Sequence, residues 1–135
     1  MVGMLWLLPP LGWTVLIAYL GSSQWSGEQT ASWIEPILRS LLPFASPPLV
    51  ELIHAIIRKG AHVFEYAVLA TLWRRAAGSS WLALALSVIT ASLDEFHQSF
   101  EPGRGASLYD VLLDSMAAAA ALTVVTAWRP RASAP

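Results

Sequence analysis

DEFHQSFEPGR, residues 94–104, separates two long apolar runs and contains three acidic residues, a histidine, a glutamine and an arginine. Each flanking run is long enough to cross a lipid bilayer, whose hydrocarbon core takes about 20 residues of apolar helix. The charged stretch therefore falls at a membrane boundary. Because ionisable groups close to lipid are costly, we expect this stretch to belong to a functional site.

The composition also indicates an integral membrane protein. Hydrophobic residues make up 56% of the 135 residues and charged residues only 13%, whereas soluble domains carry roughly 25% charged residues. Seven tryptophans suit a chain that meets two bilayer interfaces. A net charge of −1 offers no footprint for nucleic acid, and the lack of cysteine excludes disulfides and thiolate metal ligands.

The predicted fold is all-α and polytopic, with four transmembrane helices and a short interfacial amphipathic helix. We expect a single domain at 1–128 and a disordered tail at 129–135. The first apolar run lacks the basic start and the cleavage site of a signal peptide, so it is interpreted as a retained span. The predicted spans are Leu5–Gly21, Leu49–Trp73, Trp81–Gln98 and Ser107–Trp128.

The interfacial helix is predicted between the first two spans. Apolar residues recur at helical spacing from Ile34 to Leu42, with Glu35 and Arg39 on the opposite side. Pro43 and the Pro47-Pro48 pair should end this helix. No chemistry is apparent in the segment itself, so an anchoring role is the simplest interpretation.

Arginines near the span ends predict the orientation. Four of them lie at one end of the predicted bundle and two at the other. Positive charge concentrates on the cytoplasmic side, so both termini and the turn after span two should lie in the cytoplasm. The group of four is Arg74, Arg75, Arg129 and Arg131, and the group of two is Arg39 and Arg104.

The polar residues of the spans all fall in the predicted outer half. In span two, Arg58, His62 and Glu65 share one helical face by their i, i+4, i+7 spacing, with Lys59 and Tyr66 beside it. The other spans contribute residues at the same depth, so we expect a polar cup that opens outward and is closed by apolar packing. These residues are Ser23 and Gln24, then Asp94, Glu95, His97 and Gln98, then Asp110 and Asp114.

The charge balance of this set leaves several interpretations open. The groups could pair and hold the bundle together, but three cations would face five carboxylates. The excess requires protonated carboxyls, protonated histidines or a bound cation, which is typical of acid–base or metal chemistry. No standard zinc signature is present, so a divalent metal is one candidate cofactor of unknown identity. The candidate catalytic residues, which are also the candidate metal ligands, are His62, Glu65, Asp94, His97, Asp110 and Asp114.

Arg58, Lys59 and Arg104 predict a phosphate or other anion site. Arginine side chains and helix N-termini both bind phosphate well, and the turn at Arg104 leads into the start of span four. At headgroup depth the expected ligand is a membrane lipid phosphate or a lipid-linked precursor. His54, Glu101, Glu28 and Glu35 are interpreted as interface or solvated residues outside the site.

The motifs resemble those of the VanZ-like family of small bacterial membrane proteins, and the resemblance covers about residues 5 to 128. It implies a location in the bacterial inner membrane, and a named member of that family gives low-level resistance to the glycopeptide teicoplanin. One departure is the alanine-rich sequence that replaces a glycine of the fourth span, which bears on packing more than on chemistry. The matching segments are Ser22–Gln24, Arg58–Tyr66 (R-K-x-x-H-x-x-E-Y), 94–104 (D-E-x-H-Q-x-F-x-P-G-R) and Asp110–Asp114 (D-v-x-x-D).

Three functions are compatible with these residues. The first is an enzyme or binding protein for a cell-envelope lipid or lipid-linked cell-wall precursor, with His62 or His97 as general base and the cations holding phosphate. The second is a non-catalytic envelope protein, or antibiotic-shielding protein, whose polar core is structural. The third is a small proton-coupled carrier, although the apolar inner halves of the spans offer it no polar path.

Overall fold

A computed structural model describes residues 2–102 and 105–128, and every regular element in that part of the chain is helical. The prediction of an all-α fold is confirmed. Arg104 and the predicted tail lie outside the described residues. The helices are α1 (Val2–Leu5), α2 (Leu8–Leu20), a 3-10 turn (Ser23–Trp25), α3 (Gly27–Leu41), α4 (Pro47–Ala77), α5 (Ser80–Gln98) and α6 (Leu108–Ala127).

Prolines begin two of these helices. Pro9 and Pro10 lie in the first turn of α2, and Pro47 and Pro48 open α4. Proline fits there because the first N–H groups of a helix have no intrahelical partner. α4 extends beyond both ends of the predicted second span, since it has 31 residues, about 46 Å at 1.5 Å per residue. Its end is set by Gly78, whose left-handed φ of 71° stops the helix.

α4 and α6 run parallel, and α5 runs antiparallel to both. Lys59 of α4 contacts Asp110 at the start of α6, and Ala70 shares a core cluster with Ala118 further along both helices. The short loop at Gly78 reverses the chain between α4 and α5. These three helices form the body of the protein, and their directions bring the polar segments of all three to one end.

α2 runs antiparallel to α4 and connects the two ends of the bundle. At one end the Trp6 ring lies 4.6 Å from the guanidinium carbon of Arg75. At the other end a Cβ placed on Gly21 would lie 2.5 Å from Asp94 Oδ1 and 3.3 Å from Gln98 Nε2. The start of α2 therefore lies beside the α4–α5 turn, and its end lies beside the polar segment of α5.

Small side chains allow the helices to approach closely. Alanines from α4, α5 and α6 are fully buried in two apolar clusters, and small residues at helix contacts suit packing in lipid. The first cluster lies nearer the polar end. It consists of Ile17, Tyr66, Leu69, Ala91 and Ala117, and the second consists of Ala70, Ala83, Ala118 and Leu122.

Large apolar side chains cover much of the outer surface. Phe64, Ile89 and Met116 are 62%, 54% and 69% exposed. Among the described helices, α6 alone has both the length and the apolarity to cross a membrane, while the apolar α2 has only 13 residues. α4 and α5 are long enough but contain the polar residues of the candidate site. Four transmembrane helices therefore stay a prediction.

α3 is an amphipathic helix packed against the first half of α4. Trp33, Ile37 and Leu41 form an exposed apolar stripe at i, i+4, i+8, while Ile34 and Leu38 are partly buried. The helix ends before Pro43, as predicted, but it begins earlier than its apolar pattern indicated because Ser26 caps it.

Candidate functional site

Two side-chain pairs join α4 to α6 at the polar end of the bundle. Lys59 Nζ forms an ion pair with Asp110 Oδ1. One turn further into the bundle, His62 Nδ1 lies 3.6 Å from Asp114 Oδ2. Both pairs form because the two helices run parallel. Lys59 and His62 are three residues apart on one face of α4, and they meet two aspartates that are four residues apart on one face of α6. Asp110 and Asp114 therefore share one face, and that face is turned to α4.

The second pair is the more enclosed of the two. The Asp114 side chain is 1% exposed and that of His62 is 20% exposed. His62 Nδ1 is buried without a hydrogen bond to any described residue, so the exposed part of the side chain lies away from this atom. Asp114 thus holds one side of the imidazole while the other side meets an open cleft.

Tyr66 lies one turn below His62 and is completely buried. Its hydroxyl group and Asp114 Oδ1 both lack hydrogen-bond partners among the described residues. A buried polar atom without a partner costs stability, and a catalytic role is one explanation for it.

The end of α5 supplies three buried polar side chains with structural partners. Gln98 Nε2 donates to Asp94 Oδ2 at 2.9 Å, within one turn of the helix. Glu95 Oε2 accepts the Ser107 N–H at 2.7 Å, at the position that begins α6. A carboxylate at a helix N-terminus is favoured by the helix dipole. Glu95 therefore fixes the start of α6, and with it the position of Asp110.

His97 does not join these residues, although its spacing placed it on the same face as Asp94 and Gln98. Its side chain is 48% exposed and its Nε2 lies 3.5 Å from Glu101 Oε1. Asp94 and Gln98, four residues apart, lie on the buried face of α5, while His97 lies on the side of the helix toward α2. The structure thus separates His97 from His62.

Glu101 is a structural link, so its interpretation as a solvated loop charge was wrong. Its Oε2 accepts the Ser23 N–H at 2.9 Å, which ties the loop after α5 to the end of α2. Ser23 therefore contacts the polar end of the bundle through its backbone N–H. Gln24 is exposed and lines a different groove, away from His62.

Arg58 and Glu65 occupy a second polar face of α4. They line a crevice of about 120 Å³ toward the end of α2 and the 3-10 turn, together with Leu20 and Trp25. We call this the middle crevice. The predicted single stripe of Arg58, His62 and Glu65 is thus divided: Lys59, His62 and Tyr66 face α6, and His62 borders both faces.

A larger cleft of about 240 Å³ lies on the other side of His62. We call it the basic cleft. Cationic and imidazole groups from α4 form one wall, and Asp110 and Gln98 approach from α6 and α5. Arg104 immediately precedes a lining residue, but it lies outside the described part of the chain. The lining residues are Ala55, Arg58, Lys59, His62, Gln98, Gly105 and Asp110.

The six candidate metal ligands are not gathered at one point. Within residues 2–102 and 105–128, no group of three His, Asp or Glu side chains has an arrangement that could hold a metal ion. Asp110 pairs with Lys59 and Asp114 with His62, while Asp94 binds Gln98 and His97 approaches Glu101. These contacts engage five of the six candidate ligands.

His54 has a structural role that its sequence position did not reveal. It is buried, and its Nε2 lies 3.1 Å from Thr30 Oγ1 of α3. Its interpretation as an interface residue did not foresee this contact with α3. The contact fastens α3 over the first half of α4, beside the middle crevice.

Comparison with known proteins gives a match to a family model. A search of curated proteins and of solved structures found no match. The family model described as VanZ/LLP1 matches residues 6–129. That range includes α2 to α6 and every residue of the basic cleft and the middle crevice. Since the match covers most of its length, the chain belongs to the VanZ/LLP1 family.

Proposed function

We propose that this protein is a multi-pass protein of the bacterial inner membrane that binds a phosphate-bearing lipid or lipid-linked cell-wall precursor outside the cell. The observation that carries the proposal is the basic cleft, where Arg58, Lys59 and His62 line one wall. Guanidinium and ammonium groups hold phosphate oxygens through charge-assisted hydrogen bonds. Gln98 adds an amide on the opposite wall.

The exposed surface supports placement in a membrane. Phe64, Ile89 and Met116 are exposed on three different helices, and extensive exposed apolar surface marks contact with lipid or a partner. In the stretch of α6 that could span a membrane, 22% of the residues are buried. That helix is therefore mostly exposed, unlike the enclosed core helix of a soluble protein.

The ends of the bundle support the proposed orientation. Trp6 packs on Arg75, so the start of α2 and the Arg74-Arg75 turn lie at the same end. With that end in the cytoplasm, as the positive-inside rule favours, both termini lie inside. The basic cleft, at the opposite end, then faces outward at the level of the lipid headgroups.

His62 is the residue we assign to proton transfer at this site. His62 lines the cleft beside two cations, while Asp114 holds the Nδ1 side of the ring. A histidine held in this way by a carboxylate is suited to general acid–base work near neutral pH. In this role His62 exchanges a proton with the bound phosphate or its leaving group, and Asp114 positions the ring.

A non-catalytic envelope protein is the second candidate function. It is favoured by the Lys59–Asp110 and Glu95–Ser107 contacts, which join helices without any ligand. In that case the site would hold a lipid or shield a precursor from an antibiotic without reaction. A contribution to teicoplanin tolerance belongs to the proposal under either candidate and rests on the family resemblance.

Binding and conversion can be measured together. The purified protein in nanodiscs is incubated with a polyprenyl diphosphate, bound lipid is counted by native mass spectrometry, and products are followed by liquid chromatography. We expect the wild type to retain the lipid and the Arg58→Gln/Lys59→Gln variant to lose it. Conversion that disappears in His62→Ala identifies an enzyme, and retention without conversion identifies a binding protein. Equal retention by wild type and double variant would overturn the proposal.

A further inference from the structure

A third depression, the aromatic groove, lies between α2, the 3-10 turn and α3. Its volume is about 360 Å³ and its lining includes Tyr19, Trp25, Trp33 and Ile34. The Trp25 ring centroid is 6.1 Å from that of Tyr19 and 6.3 Å from that of Trp33. The three rings form one apolar wall, and the volume lies within the ~300–1,000 Å³ range of small-molecule sites.

The middle crevice lies between the aromatic groove and the basic cleft and shares lining residues with both. Trp25 and Thr30 line both the aromatic groove and the middle crevice. Arg58 and His62 in turn line both the middle crevice and the basic cleft. The three depressions therefore lie next to one another in a row, which we call the path, with an apolar, aromatic end and a cationic end.

Two local features shape this path. Gly27 begins α3, and a Cβ at that position would collide with Nη1 of Arg58. The lack of a side chain lets the guanidinium reach the edge of α3. The contact between His54 and Thr30 holds α3 in place above it. At the far end Tyr19 and Trp33 are 50% and 68% exposed, so the groove opens onto the apolar outer surface.

We propose that the aromatic groove holds one hydrocarbon chain of a phosphate-bearing membrane lipid whose headgroup lies in the basic cleft. This inference rests on the proposed function and names how the lipid is seated. The chemistry of the path selects an amphiphile, because its aromatic end offers apolar contact and its cationic end attracts an anion. Free phosphate would use the cleft alone.

The test maps where the lipid chain lies. Full-length protein in nanodiscs is photolabelled with phosphatidylglycerol that carries a diazirine in one acyl chain, and labelled residues are identified by peptide mass spectrometry. We expect labelling to concentrate on Trp25, Trp33 and Ile34. Ile34→Trp fills the groove and should reduce this labelling by about tenfold, the equivalent of ~1.4 kcal/mol. Ile37→Trp is the matched control on the exposed side of α3 and should leave the labelling unchanged.

Two outcomes would overturn the inference. One is labelling of equal intensity on outward side chains such as Ile89 and Met116. The other is labelling of the groove that persists in Ile34→Trp.

A diazirine diacylglycerol, which lacks phosphate, separates this inference from the proposed function. Suppose that both probes label the groove equally and that Arg58→Gln does not change this labelling. The groove then holds a chain, but the basic cleft does not select phosphate. If the protein still prefers the phosphate-bearing probe but the groove is not labelled, the basic cleft selects phosphate and the groove does not hold the chain.

Discussion

His62 Nδ1 of α4 lies 3.6 Å from Asp114 Oδ2 of α6, and the Asp114 side chain is 1% exposed. This pair is the innermost of the two that join the parallel helices. The other Asp114 oxygen has no hydrogen-bond partner among the described residues. The imidazole is thus the one described partner of a buried carboxylate, which makes the two residues dependent on each other.

That dependence predicts a strong coupling between substitutions at the two positions. His62→Leu should lower the free energy of unfolding by about 3 kcal/mol, because it leaves a carboxylate buried without its partner. Asp114→Asn introduced into the same protein should recover at least about 1 kcal/mol of that loss, since the remaining group is neutral. The measurement is a double-mutant cycle: the wild type, the two single variants and the double variant are unfolded in detergent and followed by circular dichroism. Losses that simply add would show that the pair is not coupled.

The contact of α2 with α5 predicts opposite effects at two glycines. A Cβ at Gly21 would lie 2.5 Å from Asp94 Oδ1, whereas a Cβ at Gly12 meets nothing within 4 Å. Gly21→Ala should therefore destabilise the fold by about 1–3 kcal/mol through overpacking. Gly12→Ala, inside the same helix, should be neutral or stabilise by up to about 1 kcal/mol. If thermal unfolding shifts both variants in the same direction, α2 does not approach α5 in this way.

Much of the fold follows from elementary patterns in the sequence. Apolar runs of the right length predicted the main helices, and the helical spacing of apolar residues predicted α3. The Pro47-Pro48 pair was misread as the end of α3, although prolines suit the first turn of a helix equally well. Local sequence marks such a boundary without saying on which side of it the helix lies.

The sequence predicted which residues belong to the site better than it predicted how they are placed relative to one another. Spacing placed Asp110 and Asp114 on one face, and the structure turns that face toward His62. Spacing could not decide the rotation of each helix, because packing against neighbours sets it. For that reason Glu65 faces the middle crevice and His97 lies apart. The close approaches at Gly21 and Gly27 depend on tertiary contacts that a single sequence does not encode.

The orientation in the membrane can be tested with single cysteines, since the chain has none of its own. Ser79 and Ser99 lie at opposite ends of α5. We expect a membrane-impermeant maleimide to label Ser99→Cys on intact cells and to label Ser79→Cys only after the cells are opened. The two substitutions are chemically identical and therefore control for each other. Labelling of Ser79→Cys on intact cells would reverse the proposed orientation.

The central claim is that the basic cleft selects a lipid for its phosphate, and one affinity comparison tests it most directly. The affinity for phosphatidylglycerol is measured by native mass spectrometry in wild type, Arg58→Gln and Arg39→Gln. Arg39 is a matched control, because it lies on α3 in a half-exposed ion pair with Glu35 and away from the cleft. Loss of a charge-assisted contact of about 1.5–3 kcal/mol should weaken binding by Arg58→Gln roughly tenfold or more. We expect Arg39→Gln to bind like the wild type. Equal affinities in all three proteins would contradict the account.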